Sequence, residues 1–229
     1  MVCNVITADK ANRLFWLGRY AERVYIGLHL LRRYYDRVLD GDTKDLNEYY
    51  TYLGVGGDVS REFQLSQLYD PNHICSIATS LALAGDNAIV LRRDITSESL
   101  SYIQMSQALL DECSAIMEKN ITHLQPVTDH MLAFFGSIDE RVFDKRIKKY
   151  LKIGKLIENL DLHIRFNYPF FRIEEAYETL KEDIAVVDAV ADAKTIERLD
   201  DLLTDDKYSD QTAGYKESVL GYINSLVMV

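Results

Sequence analysis

Residues 13–24 read Arg13-Leu14-Phe15-Trp16-Leu17-Gly18-Arg19-Tyr20-Ala21-Glu22-Arg23-Val24. They lie inside a segment, Ala8 to about Leu39, in which Leu14, Leu17, Ala21, Val24, Leu28 and Leu31 recur at spacings of three and four. That is a helical period. Phe15, Trp16, Tyr20 and Ile26 fall outside the stripe, so the apolar surface runs around most of the circumference. Such a helix belongs at the centre of a bundle. Thr7 is placed to cap it, Asp9 puts negative charge in its first turn, and Asp40-Gly41-Asp42 ends it.

The same grammar returns 136 residues later, as Ile153-Gly154-Lys155-Leu156-Ile157-Glu158-Asn159-Leu160. The shared core is aliphatic-Gly-basic-x-x-Glu. Glycine, base and acid then share one helical face. A mid-helix glycine costs about 1 kcal/mol against alanine. Gly18 and Gly154 are therefore candidate close-packing positions, where a second helix or a ligand approaches the backbone. If the two helices pack together, Glu22 and Glu158 can face one pocket. The plainer alternative is that each acid pairs with Arg19 or Lys155 one turn earlier and only sets the packing.

The rest of the chain also reads as helix. A short helix is expected over Thr43 to Leu53, and another begins after a Ser60 cap and ends near Pro71. Pro71 suits the first turn of the next, reaching about Arg93. Thr96 starts one running to roughly Asn120. Others are expected at Val127 to Phe135, Ser137 to Phe166, Ile173 to Val190, Lys194 to Leu203 and Tyr215 to Val227. No segment alternates as a strand does. The expected fold is all-α: one domain over residues 1–229, a bundle of long antiparallel helices with a weak internal repeat.

Composition agrees. The 229 residues are 48% apolar and 27% charged, with three prolines and eleven glycines, too few for a many-turned β-sandwich. Cys3, Cys75 and Cys113 form no CxxC pair, so neither a zinc knuckle nor a disulfide framework fits. Cys75 and Cys113 read as inert core residues. Met1 to Asp9 lack a basic segment followed by an apolar one, so no signal peptide is expected. The longest mainly apolar stretch, Ile74 to Gly85, is short and contains Ser76, Thr79 and Ser80. It does not span a membrane, and a cytoplasmic location is expected. The net charge of −10 argues against nucleic-acid binding. Nearly all of it lies in residues 173–229, which carry 14 acids and 5 bases. That acidic C-terminal part reads as a solvated face or as a dock for a basic partner. The run Arg141, Lys145, Arg146, Lys148, Lys149, Lys152 and Lys155 reads as a solvated helix face or as a phosphate- or acid-binding surface, and is also a candidate to meet the acidic part, within the chain or in a homo-oligomer.

Familiar catalytic patterns do not appear. A carboxylate-bridged metal site needs Glu-x-x-His on two helices. The residues three before His29, His123, His130 and His163 are Ile26, Asn120, Val127 and Leu160. His73 has Asp70 at that offset, with Pro71 between them. His123 and His130 would share a face only in a helix continuing through Pro126. Gly54-Val55-Gly56-Gly57 lacks the following Lys-Ser/Thr of a phosphate loop and reads as a plain loop. No metal and no cofactor is expected. The fifteen tyrosines suit core, boundary and interface packing.

The run from Arg13 to Arg23 resembles the N-terminal motif of the Alpha-E family, bacterial all-helical proteins with a Glu-Arg motif. Ala84-Gly85-Asp86-Asn87-Ala88-Ile89-Val90-Leu91-Arg92 is similar to the family's middle motif, A-R-E-N-A-R-x-V-R, keeping Asn87 and Arg92 but not its other charged positions. Ile153 to Asn159 resembles the second Gly-basic-x-x-Glu-Arg copy, with Asn159 in place of the arginine. What the resemblance implies is a role beside circularly permuted ATP-grasp amide ligases and transglutaminase-like proteins, in making or modifying a small peptide. The expected protein is an accessory partner holding a peptide or amino-acid-like ligand. Glu22 and Glu158 would meet an amine, Arg19, Arg23 and Arg92 an acid group, and Asn87 a hydrogen-bonding group. Two alternatives stand beside it: an enzyme using the paired glutamates on an amide, and a purely structural module.

Overall fold

The computed structural model describes residues 6–41, 45–54, 60–116, 121–187 and 190–228. Twelve α-helices occur among them. The first seven are α1 (Ala8–Leu39), α2 (Asp45–Tyr52), α3 (Arg61–Tyr69), α4 (Ile77–Val90), α5 (Arg92–Ile95), α6 (Ser97–Ala115) and α7 (Gln125–Arg141). The others are α8 (Lys145–Arg165), α9 (Phe170–Val186), α10 (Ala193–Leu202), α11 (Asp205–Asp210) and α12 (Tyr215–Ser225). A 3-10 turn, Ile121–Leu124, precedes α7. The fold is an all-α bundle. Cys3, Asp42, Thr43 and the glycines Gly56 and Gly57 lie outside the described residues.

Capping chemistry sets many of the boundaries. Thr7 accepts from the Lys10 amide at 3.3 Å, Ser60 from Phe63 at 3.2 Å, and Thr96 from Ser99 at 3.4 Å. Each satisfies an amide that the first helical turn leaves without a partner. Pro71 does not open the next helix. Ser76 does, its Oγ accepting from the Thr79 amide at 2.9 Å and donating to the Asp70 carbonyl at 2.7 Å. The single helix expected from Ser137 to Phe166 is two. Ser137–Arg141 finish α7, Val142 turns extended, and Asp144 caps α8 by accepting from the Arg146 amide at 2.9 Å. A capping aspartate outweighed a continuous apolar period. Val190–Ala191 pairs antiparallel with Val227–Met228, a two-residue ladder too short to leave a periodic pattern.

The central helix is α1, packed against α8, α4, α7 and α2. It meets α4 antiparallel: Gly27 lies by Ile77, and Lys10 pairs with Asp94 at 2.9 Å. Helices α6 and α7 are also antiparallel, with the Ser99 and Ser137 hydroxyls 2.8 Å apart and Cys113 beside the His123 carbonyl. The pair α1 and α8 is different and runs parallel. Phe15 lies opposite Gly154, Arg23 opposite Glu158 and Tyr34 opposite Phe166. The chain returns through α2 to α7 to the end where it began, so α8 starts alongside the start of α1.

The basic run and the acidic part meet within the chain. Asp183 of α9 is buried and pairs with Lys149 and, at 3.1 Å, Lys152. Other acids of that part stay exposed or pair locally, as Asp200 does with Lys181. No helix among the described residues is long and apolar enough to cross a membrane.

Candidate functional site

The α1–α8 crossing is built around its two glycines. A Cβ on Gly18 would overlap the Leu151 carbonyl oxygen and press on the Lys155 amide; one on Gly154 would overlap the Phe15 carbonyl oxygen and press on the Arg19 amide. Residue 15 corresponds to 151, 18 to 154 and 19 to 155, so the contacts obey the 136-residue repeat. The two backbones touch across a local pseudo-twofold.

That contact places each glutamate against the basic positions of the opposite helix. Glu158, 2% exposed, accepts from Arg19 Nε at 2.8 Å, from Arg23 Nε at 2.6 Å and from Arg23 Nη2 at 3.0 Å. Arg19 is itself only 6% exposed. Two guanidiniums on one carboxylate are charge-assisted contacts of the strong kind. The equivalent neighbours of Glu22 are Lys155 and Asn159. Lys155 Nζ stands 4.0 Å from Glu22 Oε2, and Asn159 Nδ2 donates to Oε1 at 3.1 Å. Glu22 is 1% exposed, and its Oε2 has no hydrogen-bond partner among the described residues. Burial pushes its carboxyl up from 4.5 to about 7, against the pull of Lys155 and Asn159 and with the help of the Glu158 charge.

The cluster extends beyond the motif. Arg19 Nη2 donates to Asn224 Oδ1 at 2.7 Å, and Asn224 Nδ2 donates to Asp161 Oδ2 at 2.7 Å. Arg165 Nε donates to Asp161 Oδ1 at 2.6 Å. A pocket of about 200 Å³ opens along this side, lined by Arg23, Glu158, Asp161 and Arg165 on the charged wall and by Leu53 and Ile77 opposite. Glu22 does not line it.

Arg19, Glu22, Arg23 and Glu158 are thus brought together, with Gly18 and Gly154 at the crossing. Asn87 and Arg92 are not joined to them. Asn87 donates to the Leu83 carbonyl at 3.1 Å, and exposed Arg92 to the Ile89 carbonyl at 3.0 Å. Asp161 and Arg165 escaped the sequence reading, although three and seven residues past Glu158 put them on the same face. Nothing in the sequence pointed to Asn224, which arrives from α12. Cys113 is buried, but Cys75 is exposed in the turn before α4 and lines the pocket. It is not a core residue, because the helix that would have buried it starts only at Ile77. His123 and His130 lie in separate elements, the 3-10 turn and α7. Among the described residues no group of three or more His, Cys, Asp or Glu is placed to hold a metal.

Fold and cluster define a class: an all-helical bundle whose central parallel pair is locked by reciprocal glycines and cross-helix glutamate–base contacts. Residues 8–199 match the Alpha-E family, described as a predicted alpha-helical domain with a conserved ER motif, and the chain belongs to that family. The matched residues hold Glu-Arg steps at Glu22-Arg23, Glu140-Arg141 and Glu197-Arg198, of which Glu22-Arg23 lies at the α1–α8 crossing. No curated protein and no solved structure matches the chain.

Proposed function

We propose that the protein is a non-catalytic ligand-binding protein, and that the pocket beside Arg23 and Arg165 holds an amino-acid or peptide-like acid. One observation carries this reading. Both guanidiniums hold their carboxylate through Nε and Nη2 and leave Nη1 without a hydrogen bond among the described residues, at the wall of the pocket. Both side chains remain about a third exposed. Two such edges fit a ligand carboxylate, and the adjacent Asp161 gives an amine an acceptor. Leu53, Ile77 and Leu162 form an apolar wall for a side chain. The pocket suits one amino acid or the end of a peptide.

The finer reading rests on the family. The protein acts as the accessory partner of a circularly permuted ATP-grasp amide ligase, or beside a transglutaminase-like protein, in peptide synthesis or modification in the cytoplasm, with residues 1–229 as one domain. Glu22 lies off the pocket wall, which counts against an enzyme built on Glu22 and Glu158 as a pair. The close crossing favours a structural role for the motif, and the test separates that role from binding. Native mass spectrometry of gently purified protein is the measurement, on the wild type and on Arg165→Gln. A small bound mass lost in Arg165→Gln without a change in melting temperature supports binding; a co-purifying ligase supports the partnership. A wild type carrying neither, together with a lowered melting temperature in the variant, leaves the structural role and overturns the proposal.

A further inference from the structure

A cavity of about 400 Å³ lies between α1, α2, α3 and the 3-10 turn. It shares no lining residue with the pocket at Arg165. Leu31, Leu65 and Ile121 give it aliphatic walls, and Tyr35 and Tyr69 aromatic ones. Such a lining admits an apolar body and disfavours a strongly hydrated one.

Tyr50 also lines this cavity and is 1% exposed. Its ring is held edge-on by Tyr49 at 5.0 Å and by Phe63 at 5.2 Å. Its hydroxyl makes no hydrogen bond among the described residues. Other buried tyrosines behave differently. Tyr49, Tyr177, Tyr208 and Tyr215 each donate to a backbone carbonyl, of Gly27, Ile196, Tyr168 and Leu202. Burial pushes the Tyr50 phenol well above its ordinary pKa, so it stays a neutral donor. A buried donor left without an acceptor costs stability, and a ligand oxygen removes that cost. The cavity wall also includes Arg61, the exposed first residue of α3, which makes no ion pair among the described residues. Its guanidinium is a natural partner for a carboxylate.

We propose that this cavity is a second binding site, taking a phenolic carboxylic acid. The Tyr50 hydroxyl donates to the phenol oxygen, the Arg61 guanidinium meets the carboxylate, and the aromatic ring packs among Tyr35, Tyr69 and the leucines. A ring between two polar ends matches an apolar, partly aromatic cavity that has one donor inside it and one cation on its wall.

The test uses para-hydroxyphenylpropanoate as probe and isothermal titration calorimetry on the full chain. Saturable binding is expected, with phenylpropanoate, which lacks the hydroxyl, weaker by about fivefold. Tyr50→Phe keeps the ring and its packing, and should bind the two acids equally. Arg61→Gln changes an exposed side chain and should weaken both acids by about tenfold. Tyramine, which carries an ammonium in place of the acid, should not bind, and Arg165→Gln should bind as wild type does. Melting curves check that each variant is folded. The proposal is overturned by any of four results: no saturable binding, equal affinity of wild type for the two acids, a preference that persists in Tyr50→Phe, or unchanged binding in Arg61→Gln. Tyramine binding as tightly as the acid would overturn it too. So would loss of binding in Arg165→Gln, by placing the probe in the other pocket.

Discussion

Glu158 and Glu22 hold equivalent places in the two copies of the motif, yet their surroundings differ. Glu158 is clasped by two guanidiniums. Glu22 has an ammonium 4.0 Å away and one amide hydrogen bond, and keeps a bare oxygen. The glycine contacts beneath them are the same on both sides. Shape is therefore symmetric where charge is not. Close backbone approach needs both glycines, because either Cβ alone would force the helices apart. Ionic locking needs only one complete copy, because a single carboxylate with two guanidiniums already bridges the helices. The incomplete copy leaves a buried acid that ionises at the expense of stability.

The largest effect should come from the complete half. Glu158→Ala leaves Arg19 buried without its carboxylate, and loss of one partner of a buried pair costs about 3–5 kcal/mol. Chemical unfolding would show it; a loss under 1 kcal/mol would remove Glu158 from the centre of the lock. Gly18→Ala and Gly154→Ala should each cost about 3 kcal/mol by overpacking, and by similar amounts. A large difference between these two in thermal melts would break the symmetry of shape.

Glu22→Gln should act in the opposite direction to Glu158→Ala. With its folded pKa raised from 4.5 to about 7, Glu22 favours the native state as the neutral acid. Its contribution is fully present below pH 4.5 and is lost as the pH rises through about 7. The amide variant should therefore be more stable than wild type at pH 8, by about 2 kcal/mol, with the advantage shrinking towards pH 5. Destabilisation at pH 8 would mean that Lys155 and Asn159 compensate the charge after all. The smallest change expected is in Asn159→Arg, which supplies the missing guanidinium. A gain of about 1 kcal/mol at pH 8 is expected from a charge-assisted hydrogen bond. The pH dependence of unfolding should flatten at the same time. A steeper profile than wild type would show that the new arginine does not reach Glu22.

Much of this arrangement was legible in the sequence. The period of α1, the Thr7, Ser60 and Thr96 caps, and the repeated Gly-basic-x-x-Glu run are local patterns, and local patterns survive without a fold. Asn224 left no such trace, because its meeting with Arg19 joins residues 205 positions apart. The same holds for the Asp183 contact with Lys149 and Lys152, read only as a general attraction between basic and acidic stretches. The break at Val142 to Asp144 was obscured by an apolar spacing that ran straight through it.

By itself, the sequence determined that the chain is helical, that α1 lies at its centre, and that two helices carry one glycine-and-glutamate pattern. Hydrophobic period, capping oxygens and residue size act over a few residues, so the order of amino acids suffices. Tertiary structure decided that α1 and α8 run parallel, that each glutamate meets the bases of the opposite helix instead of its own, and that Glu158 lines the pocket while Glu22 does not. Those outcomes depend on how a long intervening chain closes and on which side chains share the buried space, and no local spacing encodes either.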